Sequence, residues 1–427
     1  MKSSVDNVQS KVYVQSDDLS SFYLILCPRK RETCIRIALT VTFLVISIAL
    51  LNLWWYRVLY LNEKSFDVTS FFPKRNNNVA LRVKGEACDY STGAWVADQR
   101  LPLYTNNTCA YIHTQQNCMT NGRPDKEFLY WRWKPASCDL PPFDAQFFLQ
   151  TMKGKNLIFI GDSIARNHMQ SLLCALVQVE EPEEIYFDEE TNFLFKFRSS
   201  NIMLAYRRSV FLVNFTQDGN TYNIHLDIPD VMWTNLLDSY NIAIISTGYW
   251  YFRSSVYYLN NTTVGTSSSF GLNTSVYAIY PAMQIAWDTV LRYMLKEFKG
   301  ITVMRTITVP HFESSSWYNG GNCNKTQPFF DPLMKEPLPW ANERMTRVQT
   351  QAFKKAMDYI NENSMDPKKL LLLNITYSSF LRPDGHPGAY RIQKPDEPRN
   401  DCLHWCLPGV IDMWNEILLE LLLGTSV

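Results

Sequence analysis

The sequence has no excess of charge of either sign. Its 427 residues include 41 lysines and arginines and 41 aspartates and glutamates, so the formal net charge at pH 7 is zero. Without a net field, the chain has no long-range attraction for a polyanion. Nucleic acid is therefore not predicted as a partner, and a neutral partner is expected instead.

Closely spaced cysteine pairs are also missing. The ten cysteines include no C-x-x-C pair, and their spacing is scattered. Structural zinc sites commonly take their ligands from such pairs, so no metal site is predicted.

The chain shows no internal repeat, and its length allows two or three domains, or one large α/β domain with an appended region.

One stretch, residues 37–56, has no charged residue and is long enough to cross about 30 Å of hydrocarbon as a helix. A cleaved signal peptide is the alternative, but the run is too long, begins too late and is not followed by a small-residue cleavage pattern. Basic residues are concentrated on its N-terminal side. The positive-inside rule then predicts a cytosolic tail at 1–36, a signal anchor at 37–60, a stem at 61–87 and a luminal remainder.

Two chemical features agree with a luminal remainder. Sequons of the N-x-S/T type predict glycosylation at Asn106, Asn214, Asn260, Asn261, Asn273, Asn324 and Asn374. Eight cysteines follow the predicted anchor: Cys88, Cys109, Cys118, Cys138, Cys174, Cys323, Cys402 and Cys406. Their even number predicts four disulfide bonds, whose pairing the sequence leaves open.

Beyond the stem, two regions differ in character. Residues 88–145 carry four of these cysteines with few long apolar runs, which predicts a loop-rich segment held by disulfides. In residues 146–427, apolar runs predict buried parallel strands at 157–160, 241–247, 301–309 and 370–376, and helices are predicted at 288–299, 344–361 and 412–423. This alternation predicts an α/β fold with helices on both faces of a parallel sheet. Residues 184–227 instead predict antiparallel strands, in an insertion or at a sheet edge.

The stretch "FIGDS" places Ser163 at the end of the first predicted strand, where a helix begins. Open α/β sheets bind their ligands at this edge, and the first amides of a helix lack internal partners. Ser163 is therefore a candidate nucleophile, and its own backbone amide could stabilise an oxyanion. The alternative is that Ser163 or Asp162 only caps the helix.

A serine nucleophile needs a base, and "DCLHWC" supplies one. Asp401 lies three residues before His404, close enough on a turn for the carboxylate to reach one ring nitrogen. Cys402 and Cys406, bonded to distant partners, would hold this loop rigid. The alternative is a structural histidine beside Trp405.

Other polar residues are weaker candidates. Gly161, Asp162, Arg166 and Asn167 surround the serine in sequence and are predicted to support an oxyanion or substrate. For Arg166 and Asn167 the alternative is that they only solvate the helix end. His386 has its own aspartate, Asp384, but their Pro and Gly neighbours predict a turn whose histidine packs or binds a ligand. His168 should point away from Ser163 on the same helix.

Several stretches together resemble the plant trichome birefringence-like proteins, which are polysaccharide O-acetyltransferases of the Golgi. They are "CDYSTGAWVADQRLPLY", "NCMTNGRPDKEFLYWRWKPASCDLPPFD", "FIGDSIARNHMQSLLC", "TGYWYFRSSVYY" and "DCLHWCLPGVIDMWNEILLELL". The resemblance runs from about Cys88 to the C-terminus. "HFESSSWYNGGNC" and "LRPDGHPG" look most like the branch with xyloglucan and mannan acetyltransferases.

The resemblance implies a cysteine-rich segment at 88–145 before an SGNH-hydrolase-like (PC-esterase) domain at 146–427. It implies a triad of Ser163, Asp401 and His404, and it adds Gly248, from a G-H-W block that reads Gly248-Tyr249-Trp250 here. It further implies a single-pass type II Golgi membrane protein that acts on a cell-wall polysaccharide. No bound cofactor is expected, only an acetyl donor, acetyl-CoA or a carrier derived from it, with protein partners possible for its supply.

This chain departs from the family pattern at His168, where the family often has Gln, at Tyr249, and in "ESSSWYNGG", which replaces a more acidic segment. These changes leave the triad intact and bear on the acceptor. Acyl transfer through Ser163 to a sugar hydroxyl is the leading hypothesis. An acetyl esterase, a non-catalytic glycan-binding protein and a structural partner in a complex are the alternatives.

Overall fold

The computed structural model describes residues 88–425 except 189–190, 268–278, 317–318, 330–336 and 393–398, together with Ser47. Its strands are β1 Gly93–Ala97, β2 Trp131–Pro135, β3 Leu157–Gly161, β4 Glu183–Asp188, β5 Asn192–Phe197, β6 Ile202–Arg208, β7 Val213–Asp218, β8 Thr221–Pro229, β9 Ile242–Ser246, β10 Ser255–Leu259, β11 Thr262–Ser267, β12 Ile301–Arg305 and β13 Leu370–Leu373. Its α-helices are α1 Ala145–Thr151, α2 Ser163–Leu176, α3 Val231–Thr234, α4 Ile279–Glu297, α5 Trp340–Glu362, α6 Thr376–Phe380 and α7 Asp412–Leu423.

The central sheet has seven strands in the order β13-β12-β9-β3-β6-β5-β4. The first five in this order run parallel, while β5 and β4 pair antiparallel at one edge. Strand β3 lies between β6 and β9, so the chain passes to opposite sides of β3 in successive crossovers. This is the switch point at which open α/β sheets bind ligands, beyond the carboxyl ends of the strands.

Helices cover both faces of this sheet because its buried strands are apolar on both sides. Leu157 and Phe159 of β3 join the core that includes α2 and α7. Ile158 and Ile160 join the opposite core, which includes α4 and α5. Alternating residues of a strand point to opposite faces, so one continuous apolar run serves both cores. The predicted α/β fold is confirmed.

The strand predictions are correct in position but too long at two ends. Strand β12 ends at Arg305. Two residues later, the N–H of Ile307 donates to the side chain of Gln349 at 2.8 Å and not to a neighbouring strand. Strand β13 ends at Leu373, just before α6. The antiparallel prediction for 184–227 is confirmed, because β4, β5 and β6 pair antiparallel at the sheet edge and β7 pairs antiparallel with β8. On its other side β6 runs parallel beside β3, which was not predicted. Alternating apolar residues indicate a strand but not its direction.

The predicted localisation, a single-pass type II Golgi membrane protein, is not supported by the described residues. The predicted anchor at 37–60 and the predicted tail and stem fall outside the described residues, apart from Ser47. Within the part of the chain that the structure describes, no helix is long and apolar enough to span a membrane. The two longest, α4 and α5, carry charged side chains and each pack an apolar side on the sheet.

All eight described cysteines form disulfides, as predicted: Cys88–Cys138, Cys109–Cys174, Cys118–Cys406 and Cys323–Cys402. Two of them join the segment before α1 to the α/β fold, at α2 and in the loop before α7. Hydrogen bonds add to this joint: Trp95 Nε1 donates to the carbonyl of Ser378 at 2.8 Å, and Tyr104 Oη donates to Asp412 Oδ1 at 2.6 Å. The segment therefore packs directly on the α/β fold.

Of the predicted sequons, Asn260, Asn261 and Asn324 are exposed. Asn106, Asn214 and Asn374 are half-buried, and Asn374 Oδ1 accepts a hydrogen bond from Thr306 at 3.3 Å. Asn273 lies outside the described residues. Glycosylation at these asparagines stays a prediction.

Candidate active site

Ser163 is the first residue of α2, directly beyond the carboxyl end of β3. Asp162 caps the helix, and its Oδ1 accepts the N–H of Ile164 at 3.0 Å. The amide of Ser163 is left pointing outward from the helix end. Gly161 permits the sharp turn, since a Cβ there would lie 2.0 Å from the carbonyl oxygen of Ser246 on β9. The close approach of β3 and β9 thus fixes where the hydroxyl stands.

The structure brings the three predicted triad residues into contact. Ser163 Oγ lies 2.7 Å from His404 Nε2, and His404 Nδ1 lies 2.9 Å from Asp401 Oδ2. Oδ1 of Asp401 also accepts the backbone N–H groups of Leu403, at 3.2 Å, and His404, at 3.0 Å. The order nucleophile, imidazole, carboxylate is the one that serine acyl transfer requires.

Asp401 is buried but stays ionised. Burial alone would raise the pKa of its carboxyl, yet the charge of His404 and the hydrogen bonds from His404 and Leu403 outweigh it, so the pKa lies well below its ordinary value. A carboxylate that remains charged holds Nδ1 protonated and leaves the lone pair of Nε2 facing Ser163.

The loop that carries Asp401 and His404 is anchored on every side. Cys402 and Cys406 are bonded to Cys323 and Cys118. Asn167 accepts the N–H of Trp405 at 2.8 Å through Oδ1 and donates from Nδ2 to its carbonyl at 3.3 Å. Such a scaffold keeps the imidazole within the tolerance that acyl transfer demands.

Loss of the Cys118–Cys406 bond is expected to weaken both the fold and the site. It closes a loop of 288 residues, so the double variant Cys118→Ser/Cys406→Ser should lose up to about 5 kcal/mol of unfolding free energy. A looser His404 should lower acyl-transfer kcat about 10²-fold. Chemical denaturation and steady-state kinetics measure the two effects.

The matched control is Cys88→Ser/Cys138→Ser, which removes a disulfide lying entirely before α1. It should also lose stability but keep its kcat at a temperature where both variants are folded. Equal kcat values for the two double variants would show that the Cys118–Cys406 bond does not position the base.

The second predicted His–Asp pair is not a pair in the structure. Asp384 makes two 2.8 Å hydrogen bonds with the guanidinium of Arg382 instead. His386 stacks on Trp405 at 4.2 Å between ring centroids, and its Nδ1 donates to the carbonyl of His404 at 2.7 Å. The packing alternative for His386 is therefore the one that the structure shows, and this residue supports the loop from behind.

His311 completes this buried support. Its Nδ1 lies 2.7 Å from His386 Nε2, and its Nε2 donates to the carbonyl of Phe380 at 2.8 Å. A shared proton would add a hydrogen bond between the two rings, but it would place a cation in a buried site. Burial lowers the pKa of His311 to about 4, and the bond to Phe380 and nearby carboxylates offset this only in part. Burial, and after it the charge of the neighbouring His311, also lowers the pKa of His386 well below its ordinary value.

Because the folded pKa of His311 is below the unfolded value of 6.5, the unfolded chain binds more protons between pH 6.5 and about 4. The contribution of His311 to stability is thus complete above pH 6.5 and declines as the pH falls through this window. Between pH 7 and pH 4.5, the unfolding free energy of His311→Gln should therefore fall less than that of the unmodified protein, by up to about 3 kcal/mol. The half-buried His225 on β8 provides the control, and an equal change in His225→Gln would contradict the assignment to His311.

The predicted oxyanion residues have different surroundings. The side chain of Asn167 bonds both backbone groups of Trp405 and so holds the loop that bears the base. Arg166 is buried on α2. Gly248 lines a cavity together with Asp162 and Ile164, and a Cβ there would lie 2.6 Å from Ile307. His168 packs edge-on against Phe159 and Trp414, away from the serine as predicted.

Arg305 lines the same cavity and was not a predicted site residue. It lies at the end of β12, where it donates to Ser246 Oγ at 2.6 Å and to the carbonyl of Thr306 at 3.0 Å. Burial lowers the pKa of Arg305 to about 10, against the attraction of Asp162, while burial raises the pKa of Asp162 against the attraction of Arg305. An arginine inside the apolar run "ITVMRTITV" was the available sequence signal.

Three features define an acyl-esterase-like protein of the GDSL/SGNH class. They are the parallel sheet, the serine at its switch point, and the contacts of Ser163 with His404 and of His404 with Asp401. The PC-Esterase family, a GDSL/SGNH-like acyl-esterase family found in Pmr5 and Cas1p, matches residues 140–421, and the PMR5 N terminal domain matches residues 86–139. The chain belongs to this family, and within it to the trichome birefringence-like proteins.

Curated relatives cover most of the chain. Protein trichome birefringence-like 25 of Arabidopsis thaliana is 38% identical over 82% of this chain and 80% of its own length. Xyloglucan O-acetyltransferase 1 of the same plant is 37% identical over 78% of this chain and 80% of its own length. Xyloglucan O-acetyltransferase 1 of Populus trichocarpa is 34% identical over 89% of this chain and 91% of its own length.

Proposed function

We propose that this protein is an O-acetyltransferase that acts on a cell-wall polysaccharide through an acyl-enzyme on Ser163. The contact of Ser163 Oγ with His404 Nε2, itself backed by Asp401, is the observation that carries the proposal. The relatives named xyloglucan O-acetyltransferase 1 support acetyl transfer as the reaction and xyloglucan as the acceptor to test first. Mannan is the next candidate.

In the first half-reaction, His404 Nε2 takes the proton of Ser163 as Oγ attacks the acetyl carbonyl of the donor. The bond from the carbonyl carbon to the leaving group breaks, and the leaving group receives the proton from His404. The proposed donors to the oxyanion are the backbone amide of Ser163, which is the first residue of α2, and that of Gly248, which lines the cavity beside Asp162 and Ile164. The donor is acetyl-CoA or a carrier derived from it, which a separate protein could supply.

In the second half-reaction, a sugar hydroxyl replaces the departed leaving group. His404 Nε2 removes its proton, the sugar oxygen attacks the acyl-enzyme, and Ser163 Oγ leaves with the proton returned by His404. Water can take the place of the sugar, which would make the protein an esterase. The family description as acyl-esterases makes this the second candidate.

Incubation of the purified protein with acetyl-CoA and xyloglucan oligosaccharides separates the two candidates. Mass spectrometry should find acetylated oligosaccharide as the main product. Free acetate without acetylated sugar would favour the esterase. Mannan oligosaccharides in parallel reactions test the acceptor, and acetylation of mannan alone would overturn the xyloglucan assignment while leaving the reaction type in place.

A further inference from the structure

Trp340 is a large aromatic side chain that stands on the surface without an assigned role. It is the first residue of α5, and 57% of it is exposed. Tryptophan is enriched at binding interfaces, where its apolar ring can pack while its N–H keeps a hydrogen-bond partner. The exposed position of Trp340 therefore raises the question whether this ring binds a ligand.

The ring is held in place by its neighbours. The guanidinium of Arg344, one turn further along α5, lies 5.2 Å from the centroid of Trp340 and 4.9 Å from that of Tyr280. Tyr280 meets Trp340 edge-on at 5.7 Å between centroids. A ring that is already fixed in the free protein loses little entropy when a ligand stacks on it.

A row of aromatic rings leads from Trp340 to the candidate active site. Tyr280 contacts Phe252 at 6.2 Å, and Phe252 stacks on Tyr249 at 6.5 Å between centroids. Tyr249 lines the cavity that Asp162 and Gly248 also line. Asn342, two residues after Trp340, donates to Tyr249 Oη at 2.5 Å. The N-terminus of α5 is thus joined to the wall of that cavity.

We propose that Trp340 and Arg344 form a subsite for a pyranose ring of the polysaccharide acceptor, at a distance from the sugar that is acetylated. The inference rests on the proposed function. The indole offers a flat apolar surface to the C–H face of a neutral sugar, and the guanidinium offers N–H donors to its hydroxyls. The subsite favours long acceptors over short ones, because two further rings, Tyr280 and Phe252, separate Trp340 from Tyr249 at the cavity.

The test compares Trp340→Ala with the unmodified protein on xyloglucan oligosaccharides of increasing length. For long oligosaccharides, KM should rise about 10-fold with kcat unchanged, as expected from loss of one stacking contact. For short oligosaccharides and for hydrolysis of 4-nitrophenyl acetate, the constants should not change. Trp340→Phe should recover part of the affinity.

Tyr186, which is 51% exposed on the edge strand β4, supplies a matched control. Tyr186→Ala should leave every constant unchanged. An unchanged KM for long oligosaccharides in Trp340→Ala would overturn the proposal, and so would an equal loss on 4-nitrophenyl acetate, which indicates a structural role.

Isothermal titration calorimetry with long xyloglucan oligosaccharides separates the subsite from the reaction. If the unmodified protein transfers no acetyl group but binds the oligosaccharide, and Trp340→Ala binds it about 10-fold more weakly, the proposed function fails and the subsite stands. If the unmodified protein transfers acetyl groups and Trp340→Ala binds the oligosaccharide equally well, the subsite proposal is wrong and the proposed function stands. No binding by the unmodified protein overturns the subsite.

Discussion

Replacing Ser163 with alanine is expected to lower the rate of acyl transfer by about 10³-fold or more. The change removes the nucleophilic oxygen that lies 2.7 Å from His404 Nε2, so no acyl-enzyme can form. The loss should fall on kcat, with acceptor affinity preserved, because Oγ makes its bond to carbon only in the reaction. Initial rates with acetyl-CoA and xyloglucan oligosaccharides measure it, and mass spectrometry of the protein should find no acetylated form.

Ser171, two turns further along α2, provides the control. Its hydroxyl is buried and donates to Asp412 Oδ1 at 2.5 Å, away from His404. Ser171→Ala should cost about 1 kcal/mol of stability with kcat nearly unchanged. Full acetyl transfer by Ser163→Ala would refute the acyl-enzyme and favour a non-catalytic or different role for the site.

Replacing Asp401 with asparagine is expected to lower kcat by about 10⁴-fold without unfolding the loop. The reason lies in how the two carboxylate oxygens are used. Oδ1 accepts two backbone N–H groups, so the amide oxygen of asparagine must take that position. The amide nitrogen then faces His404 Nδ1, which can accept its hydrogen only if the ring proton moves to Nε2. In that tautomer Nε2 cannot accept the proton of Ser163.

A double variant shows whether the residues act as one unit. Ser163→Ala/Asp401→Asn should be no slower than Ser163→Ala alone, because the contribution of Asp401 passes through His404 to the serine. Asp366→Asn, at the exposed N-cap of the short 3₁₀-helix Pro367–Lys369, controls for loss of a carboxylate. Additive losses in the double variant would show that Asp401 acts by another route.

The sequence was sufficient for the parts of the fold that depend on local patterns. Buried strands such as β3 and β9 are apolar on both faces, and the GDS and D-x-x-H motifs contain the whole triad. Residues whose roles depend on distant partners could not be assigned in this way. Asn167 meets Trp405 across 238 positions, and Cys118 meets Cys406 across 288.

Strand direction was likewise beyond a local pattern. Strand β6 pairs antiparallel with β5 on one side and parallel with β3 on the other. The alternating sequence of 184–227 predicts the first pairing, whereas the second depends on the crossover through α2. His386 shows the same limit, because a sequence neighbour, Asp384, suggested a partner that tertiary packing gives to Arg382.

The contacts of the segment before α1 have a consequence for how this protein can be divided. Arg123 donates to the carbonyls of Asp384 and His386, behind the loop that bears His404, and Cys118 is bonded to Cys406 in that loop. The boundary between the two family matches, at residues 139 and 140, is therefore a boundary of sequence similarity and not a place to cut the polypeptide. The longer piece alone would carry two unpaired thiols, at Cys174 and Cys406, and an unsupported base. The two regions should therefore be produced as one polypeptide.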